Sequence, residues 1–213
     1  MLEKIAIPYH KLQMAIISSL SGESSSVIEE VSFYDVGYMQ TKVGRIQRQL
    51  KRITSEIEIA LEIKNNSAYD KKQIAILMEQ REQLLYHMIF LASNSFKNLD
   101  YCVELAKGHD FVFMQCIKGL QEYEAGNKEK AFIYLKNYYK EYGNVEEHYL
   151  VNKIFGLLLA EKGQYRQAVS FLSYALQFIP DDIETLNILK MCYRQLKEID
   201  REEVVNEILS VLV

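Results

Sequence analysis

Residues that break regular structure are scarce in this chain of 213 residues, which contains two prolines and nine glycines. Pro8 and Pro180 are the prolines, and they stand far apart. Proline and glycine divide a chain into short elements when they are frequent. Their scarcity favours a few long helices over many short strands, and the sequence predicts an all-α fold.

Cysteines are also few, and their spacing is not that of a disulfide framework or a zinc site. Cys102, Cys116 and Cys192 are odd in number and form no CxxC pair, a pattern typical of a reducing compartment. Long apolar runs are lacking as well, since His10 and Lys11 interrupt the apolar N-terminus. We therefore expect a cytoplasmic protein without a signal peptide or a transmembrane segment.

Signals for chemistry are equally sparse. The net charge is −4, so the chain has no excess of basic residues, which argues against a nucleic-acid partner. The four histidines lack metal-ligand spacing, and the chain has neither a GxxxxGK nor a GxSxG motif. His109 and Asp110 are adjacent, but they follow Gly108 and are typical of a turn. We expect no catalytic residue, metal or cofactor, and hence no enzyme.

Three domains are predicted along the chain. Residues 1–26 combine a short amphipathic helix, with Tyr9, Leu12, Ile16 and Leu20 on one side, and a serine-rich linker. Residues 27–110 carry two apolar seams at alternating spacings of three and four, which predict a long antiparallel helical hairpin. Residues 111–213 contain a repeat. The first seam, residues 43–60, is also compatible with pairing to a second copy, which would make a homodimer.

The repeat consists of small residues at equal offsets. Gly119 is followed by Gly126 and Ala131, and Gly156 is followed by Gly163 and Ala168 at the same distances. The second of these units, GLLLAEKGQYRQAVSFLSYALQFIP, closes with Pro180. Such offsets fit two packed helices whose glycines lie at the closest approach and at the end of the first helix. A third unit, residues 183–212, keeps the apolar pattern but has Lys190 and Glu202 in place of small residues, as suits a terminal cap.

Because of these residues, the segment 111–213 resembles the tetratricopeptide repeat family. The resemblance implies a right-handed superhelix of helix pairs with a concave face that binds a protein or peptide. It places partner-binding residues on the first helix of each pair: Phe113, Leu120, Tyr123, Leu150, Lys153, Leu157, Glu161, Met191 and Arg194. Leu157 and Met191 stand where the clamp for chaperone tails needs asparagine, so that ligand is not expected.

The predicted lining of this groove is largely apolar, and exposed apolar surface costs about 25 cal/mol per Å². Two covers fit the sequence equally well. One is the N-terminal segment, residues 1–20. The other is an amphipathic helix or an extended segment of a partner, as expected for an adaptor, a scaffold or a secretion-chaperone-like protein.

Two rival functions remain open at this point. The first is a structural protein that self-assembles through the seam at 43–60. The second is a DNA-binding regulator that uses a basic stripe running from Lys42 to Arg52, although Glu56 follows Arg52 by one helical turn and favours a solvated helix face. A protein-interaction module is the function that the sequence favours.

Overall fold

The computed structural model describes residues 36–62, 71–143 and 148–212, and all regular structure within these ranges is helical. The predicted amphipathic helix and linker of residues 1–26 lie outside these residues. The α-helices are α1 (Val36–Glu62), α2 (Lys71–Ala92), α3 (Leu99–Leu105), α4 (Met114–Glu124), α5 (Lys128–Tyr142), α6 (Tyr149–Glu161), α7 (Tyr165–Leu176), α8 (Ile183–Leu196) and α9 (Ile199–Leu212), and a short 3-10 turn spans Phe96–Asn98. The all-α prediction is confirmed for this part of the chain.

The described chain divides into two compact units between Ile117 and Lys118, inside α4. The predicted boundary at 110/111 lies a short distance before this point. The first unit contains α1 to α3 and the beginning of α4. The second contains the rest of α4 and the helices that follow it.

In the first unit, α1 and α2 pack against each other along the two predicted seams. Ile46, Ile57 and Ala60 of α1 are buried, and Met88 and Leu91 of α2 are buried as well. The other seam positions for which burial is described are half-buried, including Leu50, Ile53, Leu77 and Leu84. On the outer surface, Arg52 pairs with Glu56 at 2.9 Å, as their spacing of four predicts.

In the second unit, the predicted small residues stand where helices approach closely. A Cβ added to Gly119 would lie 2.9 Å from Cγ of Leu135, and one added to Gly156 would lie 2.7 Å from Cδ2 of Leu172. α4 therefore meets α5 in the same way that α6 meets α7. Ala131 and Ala168, on the second helix of each pair, are fully buried. Only glycine allows this approach at Gly156, because Leu172 is itself fully buried and has little room to move.

The turns inside the helix pairs also repeat. The amide of Asn127 donates to the carbonyl of Glu122, and the amide of Gln164 donates to that of Leu159. Gly126 and Gly163, one residue earlier in each turn, have φ of 81° and 73°. This is the Schellman arrangement, in which a left-handed residue ends the helix.

The turn between α8 and α9 has the same backbone bond, from the amide of Glu198 to the carbonyl of Tyr193. Its left-handed residue is Lys197, with φ of 57°. The third helix pair therefore keeps the turn geometry without the glycine. Glu203, Asn206 and Glu207 of α9 are polar and exposed, as expected of a terminal cap, whereas Ile199 and Val211 are exposed apolar residues of the same helix.

Candidate partner-binding face

The nine predicted partner-binding residues differ widely in exposure. Phe113, Leu120, Leu150 and Leu157 are buried, Tyr123, Lys153 and Met191 are half-buried, and Glu161 and Arg194 are exposed. The four large apolar members are thus not accessible in this structure. The accessible members are polar, apart from the partly exposed Tyr123 and Met191.

Phe113 belongs to the first unit, whereas the other eight predicted residues belong to the second. Its ring packs 5.0 Å from that of Phe90 and 6.3 Å from that of Tyr86, measured between centroids. Tyr86 also meets Phe111 edge-on at 5.7 Å. These rings form an aromatic cluster beside the C-terminal part of α2, and the role of Phe113 there is packing.

Lys153 is held by two carboxylates. Its Nζ lies 2.8 Å from Oδ2 of Asp182 and 2.7 Å from Oε2 of Glu184, and only 13% of its side chain is exposed. Burial lowers the pKa of Lys153, but the hydrogen bonds to the two carboxylates outweigh it, and the pKa is raised above its usual range. Lys153 is therefore a charged residue whose positive charge is already neutralised within the chain.

Asp182 joins α6 to the start of α8. Its carboxylate accepts hydrogen bonds from the hydroxyl of Thr185 at 2.7 Å, from the Thr185 amide and from the hydroxyl of Tyr149. It is the N-cap of α8, which satisfies an otherwise unpaired amide. Burial raises the pKa of Asp182, but the bonds from Lys153, Thr185 and Tyr149 together lower it below its usual value.

Tyr123 of α4 lies among charges from the two following helix pairs. Burial raises the pKa of its phenol, and Glu184 and Glu161 raise it further, while Lys128 and Lys153 oppose them. Tyr123 therefore lies near Lys153 and Glu161. Lys128 and Glu161 form an ion pair there, and Lys162 lies 2.8 Å from Glu129 in a second pair, each across 33 residues.

On α8, the face becomes polar and open. Glu184, Asn187, Arg194 and Gln195 are exposed, and Met191 is half-buried between them. Arg194 donates from Nε to Oε1 of Glu202 at 2.8 Å, so this guanidinium also has a partner on α9. The face thus has a buried apolar part on α4 and α6 and an accessible polar part on α8.

No protein-family model, curated protein or solved structure matches this chain. Within the described ranges, no helix is long and apolar enough to cross a bilayer. The same residues bring together no group of three or more His, Cys, Asp or Glu side chains suited to a metal ion. Arguments about function therefore depend on the geometry of the face.

Two residues of this face, Asp182 and Lys128, are absent from the predicted set. Asp182 carries a local signal, since an Asp three residues before Thr185 and just after Pro180 is typical of a helix start. Its pairing with Lys153 has no local signal, because the two residues are 29 positions apart and meet only when helix pairs stack. Lys128 and Glu161 have the same property.

Cys116 of α4 is fully buried. Burial raises the pKa of Cys116 well above its usual value. A protonated thiol with no access to solvent is a packing group and not a nucleophile.

Proposed function

We propose that this protein is a non-enzymatic interaction module, in which stacked helix pairs resembling tetratricopeptide repeats hold a segment of a partner protein. The helix pairs would form a right-handed superhelix, preceded by an antiparallel hairpin of α1 and α2. The partner would lie on the face formed by α4, α6 and α8. An adaptor, a scaffold and a secretion-chaperone-like protein all use such a surface.

The observation that carries this proposal is the repetition of one helix–helix contact. Gly119 meets Leu135 and Gly156 meets Leu172 at positions offset by the same 37 residues, and both turns end on a left-handed glycine. Repeated pairs of this kind place their first helices side by side, and an extended array of side chains on one surface suits a peptide or a helix.

The state of the cysteines supports a cytoplasmic location in this proposal. Cys102, Cys116 and Cys192 are free and buried. Unpaired thiols of this kind are typical of proteins that work in a reducing compartment. No disulfide is needed to hold the described helices together, because their contacts are apolar seams.

Co-purification with matched variants tests the proposal. The full chain would be recovered from its native host and its companions quantified by mass spectrometry, alongside Met191→Glu and Ile133→Glu. Met191 is on the proposed face, whereas Ile133 is a comparably apolar residue of α5 with 55% exposure. We expect a near-stoichiometric partner with the wild type and Ile133→Glu, and its loss with Met191→Glu.

Either of two results would count against this function. Equal recovery of the partner with Met191→Glu would remove the face as the binding site. The absence of any companion at stoichiometric level would remove the interaction function itself.

A second function, structural self-assembly through the first unit, is favoured by a separate observation. Ile59 and Leu61 of α1 and Ile76 and Met78 of α2 are exposed by 38–50%. Single exposed apolar residues are common on protein surfaces, but these two packed helices expose four large ones, which favours an interaction surface. We propose a second copy of this chain as the alternative partner, and its test is the oligomeric state.

A further inference from the structure

We infer that a second copy of this chain packs on the grooved side of the α1–α2 hairpin. The two α1 helices would run antiparallel, with a two-fold axis passing between Arg52 and Glu56. The inference rests on the self-assembly proposed above as the second function, and it specifies the surface and the orientation of the two copies.

The two sides of the hairpin differ. On one side, the side-chain amide of Gln47 donates to the hydroxyl of Tyr101, which belongs to α3, at 3.3 Å. Gln49 lies two residues further along α1 and therefore points about 200° away from Gln47. Gln49 lines an open groove of about 440 Å³ between α1 and α2. The hairpin thus has α3 on one side and a groove on the other.

The floor of the groove is apolar. Its middle part lies over Ile53 and Leu84, and a second hollow of about 510 Å³ lies over Leu77. Gln80 borders both hollows, so the groove is continuous along α2. The three apolar side chains are half-buried. The seam between the two helices is therefore incompletely covered on this side.

Exposed apolar side chains stand at the end of the groove near the turn of the hairpin. Ile76 lines the second hollow and is exposed by 46%. Ile59 lies one helical turn beyond Glu56, which also lines the groove, and it is exposed by 50%. Two such hairpins can cover each other's seams, as the four helices of a bundle do.

The polar lining of the groove suits a copy of itself. In a two-fold interface the same patch is used by both copies, so a patch with charge of one sign would repel itself. The charged side chains that line the groove and its continuations are balanced in sign: Arg52, Lys72, Glu56 and Glu82. A glutamine amide both donates and accepts hydrogen bonds and can pair with its own copy. The glutamines of the lining are Gln49, Gln73, Gln80 and Gln83.

The order of the charges along α1 sets the orientation. Arg52 lies 2.9 Å from Glu56 within one copy, and 80% of the arginine side chain is exposed. Rotation about an axis between these two residues places Arg52 of each copy beside Glu56 of the other, so that neighbouring charges alternate in sign. A parallel arrangement would place Arg52 against Arg52 and Glu56 against Glu56.

The dimensions of the groove predict a weak dimer. The part of α2 from Gln73 to His87 is about 21 Å long at 1.5 Å per residue, and two packed helices are about 20 Å wide. A face of this size is smaller than the roughly 800 Å² that each partner buries in a standard interface. We therefore expect association in the micromolar range.

Charge reversal in the full chain tests the surface. Arg52→Glu leaves only carboxylates near the axis, and Glu56→Arg leaves only guanidinium groups. We expect each variant alone to have a dissociation constant raised by about tenfold or more, measured by sedimentation velocity. An equimolar mixture of the two variants should associate again, because one chain is then acidic and the other basic at the axis.

The matched control is Lys51→Glu. Lys51 is exposed on α1, and it points about 100° away from Arg52 and does not line the groove. This variant should associate like the wild type, and circular dichroism should show equal helicity in all three variants. Failure of the two charge-reversed variants to associate when mixed would overturn the inference.

Cysteine crosslinking tests the orientation. The natural cysteines are buried, so an exposed engineered cysteine reacts in preference to them. Gln49 and Ile59 lie at equal distances on either side of the axis. A mixture of Gln49→Cys and Ile59→Cys chains should therefore crosslink through a short bismaleimide. Neither chain should crosslink to itself, because identical positions would lie about 15 Å apart along the helices. Self-crosslinking of both would overturn the antiparallel arrangement.

Failure of this inference is distinguishable from failure of the self-assembly function. A wild-type chain that dimerises, and still does so with Arg52→Glu and with Glu56→Arg, would overturn this surface and leave self-assembly through another one. A wild-type chain that is monomeric at every concentration would remove both.

Discussion

At the scale of single residues, three equivalent turns differ in one respect. Gly126 and Gly163 take the left-handed conformation in the first two helix pairs, and Lys197 takes it in the third. A residue with a Cβ pays about 1–2 kcal/mol for that conformation, and Lys197 is exposed, so its side chain offers little in return. The backbone of the third turn is therefore strained at Lys197, whereas the first two turns have glycine at the equivalent position and are not strained.

Replacing Lys197 by glycine should relieve this strain. We expect Lys197→Gly to raise the free energy of unfolding by about 0.5–1 kcal/mol, because part of the gain is offset by the entropy of glycine in the unfolded chain. Urea denaturation followed by circular dichroism measures it. Lys118→Gly, at an exposed position inside α4, is the matched control and should lower stability by about 1 kcal/mol. A lower free energy of unfolding in Lys197→Gly than in the wild type would show that the backbone at Lys197 is not strained.

At the scale of helices, ion pairs connect each helix pair to the next one along the chain. Lys128 with Glu161 and Glu129 with Lys162 are exposed pairs between the start of α5 and the end of α6. Exposed pairs contribute less than about 1 kcal/mol each. The contact of Lys153 with Asp182 is different, because 13% and 10% of the two side chains are exposed. It is the stronger connection between α6 and α8.

Acid should weaken this connection. The folded-state pKa of Asp182 is lowered, so the contribution of its carboxylate is complete above the unfolded pKa of about 3.9 and is lost as the pH falls through the folded value. At pH 7, Asp182→Asn should cost about 1–3 kcal/mol of unfolding free energy, since it removes hydrogen bonds to a charged group. Below pH 3 the difference from the wild type should shrink.

Urea titrations at several pH values measure this difference. Asp181→Asn is the control, because Asp181 is the exposed neighbour of Asp182 and should change stability little at any pH. A cost of Asp182→Asn that stays constant from pH 7 to well below pH 3 would show that the carboxylate charge contributes nothing.

The helical elements were more predictable from the sequence than the face that they form. Periodic apolar positions locate α1 and α2, and the equally spaced glycines locate the closely packed helix pairs. Both signals depend on residues that are near one another in sequence. The burial of Leu150 and Leu157 and the pairing of Lys153 depend on which helices stack across 29 or more residues. Phe113 illustrates the same limit: the resemblance to tetratricopeptide repeats implies a groove residue, whereas its ring packs with Tyr86 and Phe90.

At the scale of the whole molecule, the two units expose different surfaces. The second unit exposes Ile133 by 55% and Ile199 by 64%, but these two side chains belong to different helices, and the unit pairs several of its charges internally. The first unit exposes Ile59 by 50% and Ile76 by 46%, near the end of α1 and near the beginning of α2. Burial of apolar surface on association contributes about 25 cal/mol per Å² before the entropic cost of binding, so these side chains favour self-association at high concentration.

Sedimentation velocity over a wide concentration range measures that tendency. We expect the mass of the wild type to rise with concentration, and Ile59→Lys/Ile76→Lys to remain monomeric with unchanged helicity. Ile199→Lys is the control, because Ile199 of α9 is more exposed, at 64%, but belongs to the second unit. It should associate like the wild type. A wild-type chain that is monomeric at every concentration would exclude self-assembly and leave a different protein as the partner, since the face on α4, α6 and α8 is unaffected by that result.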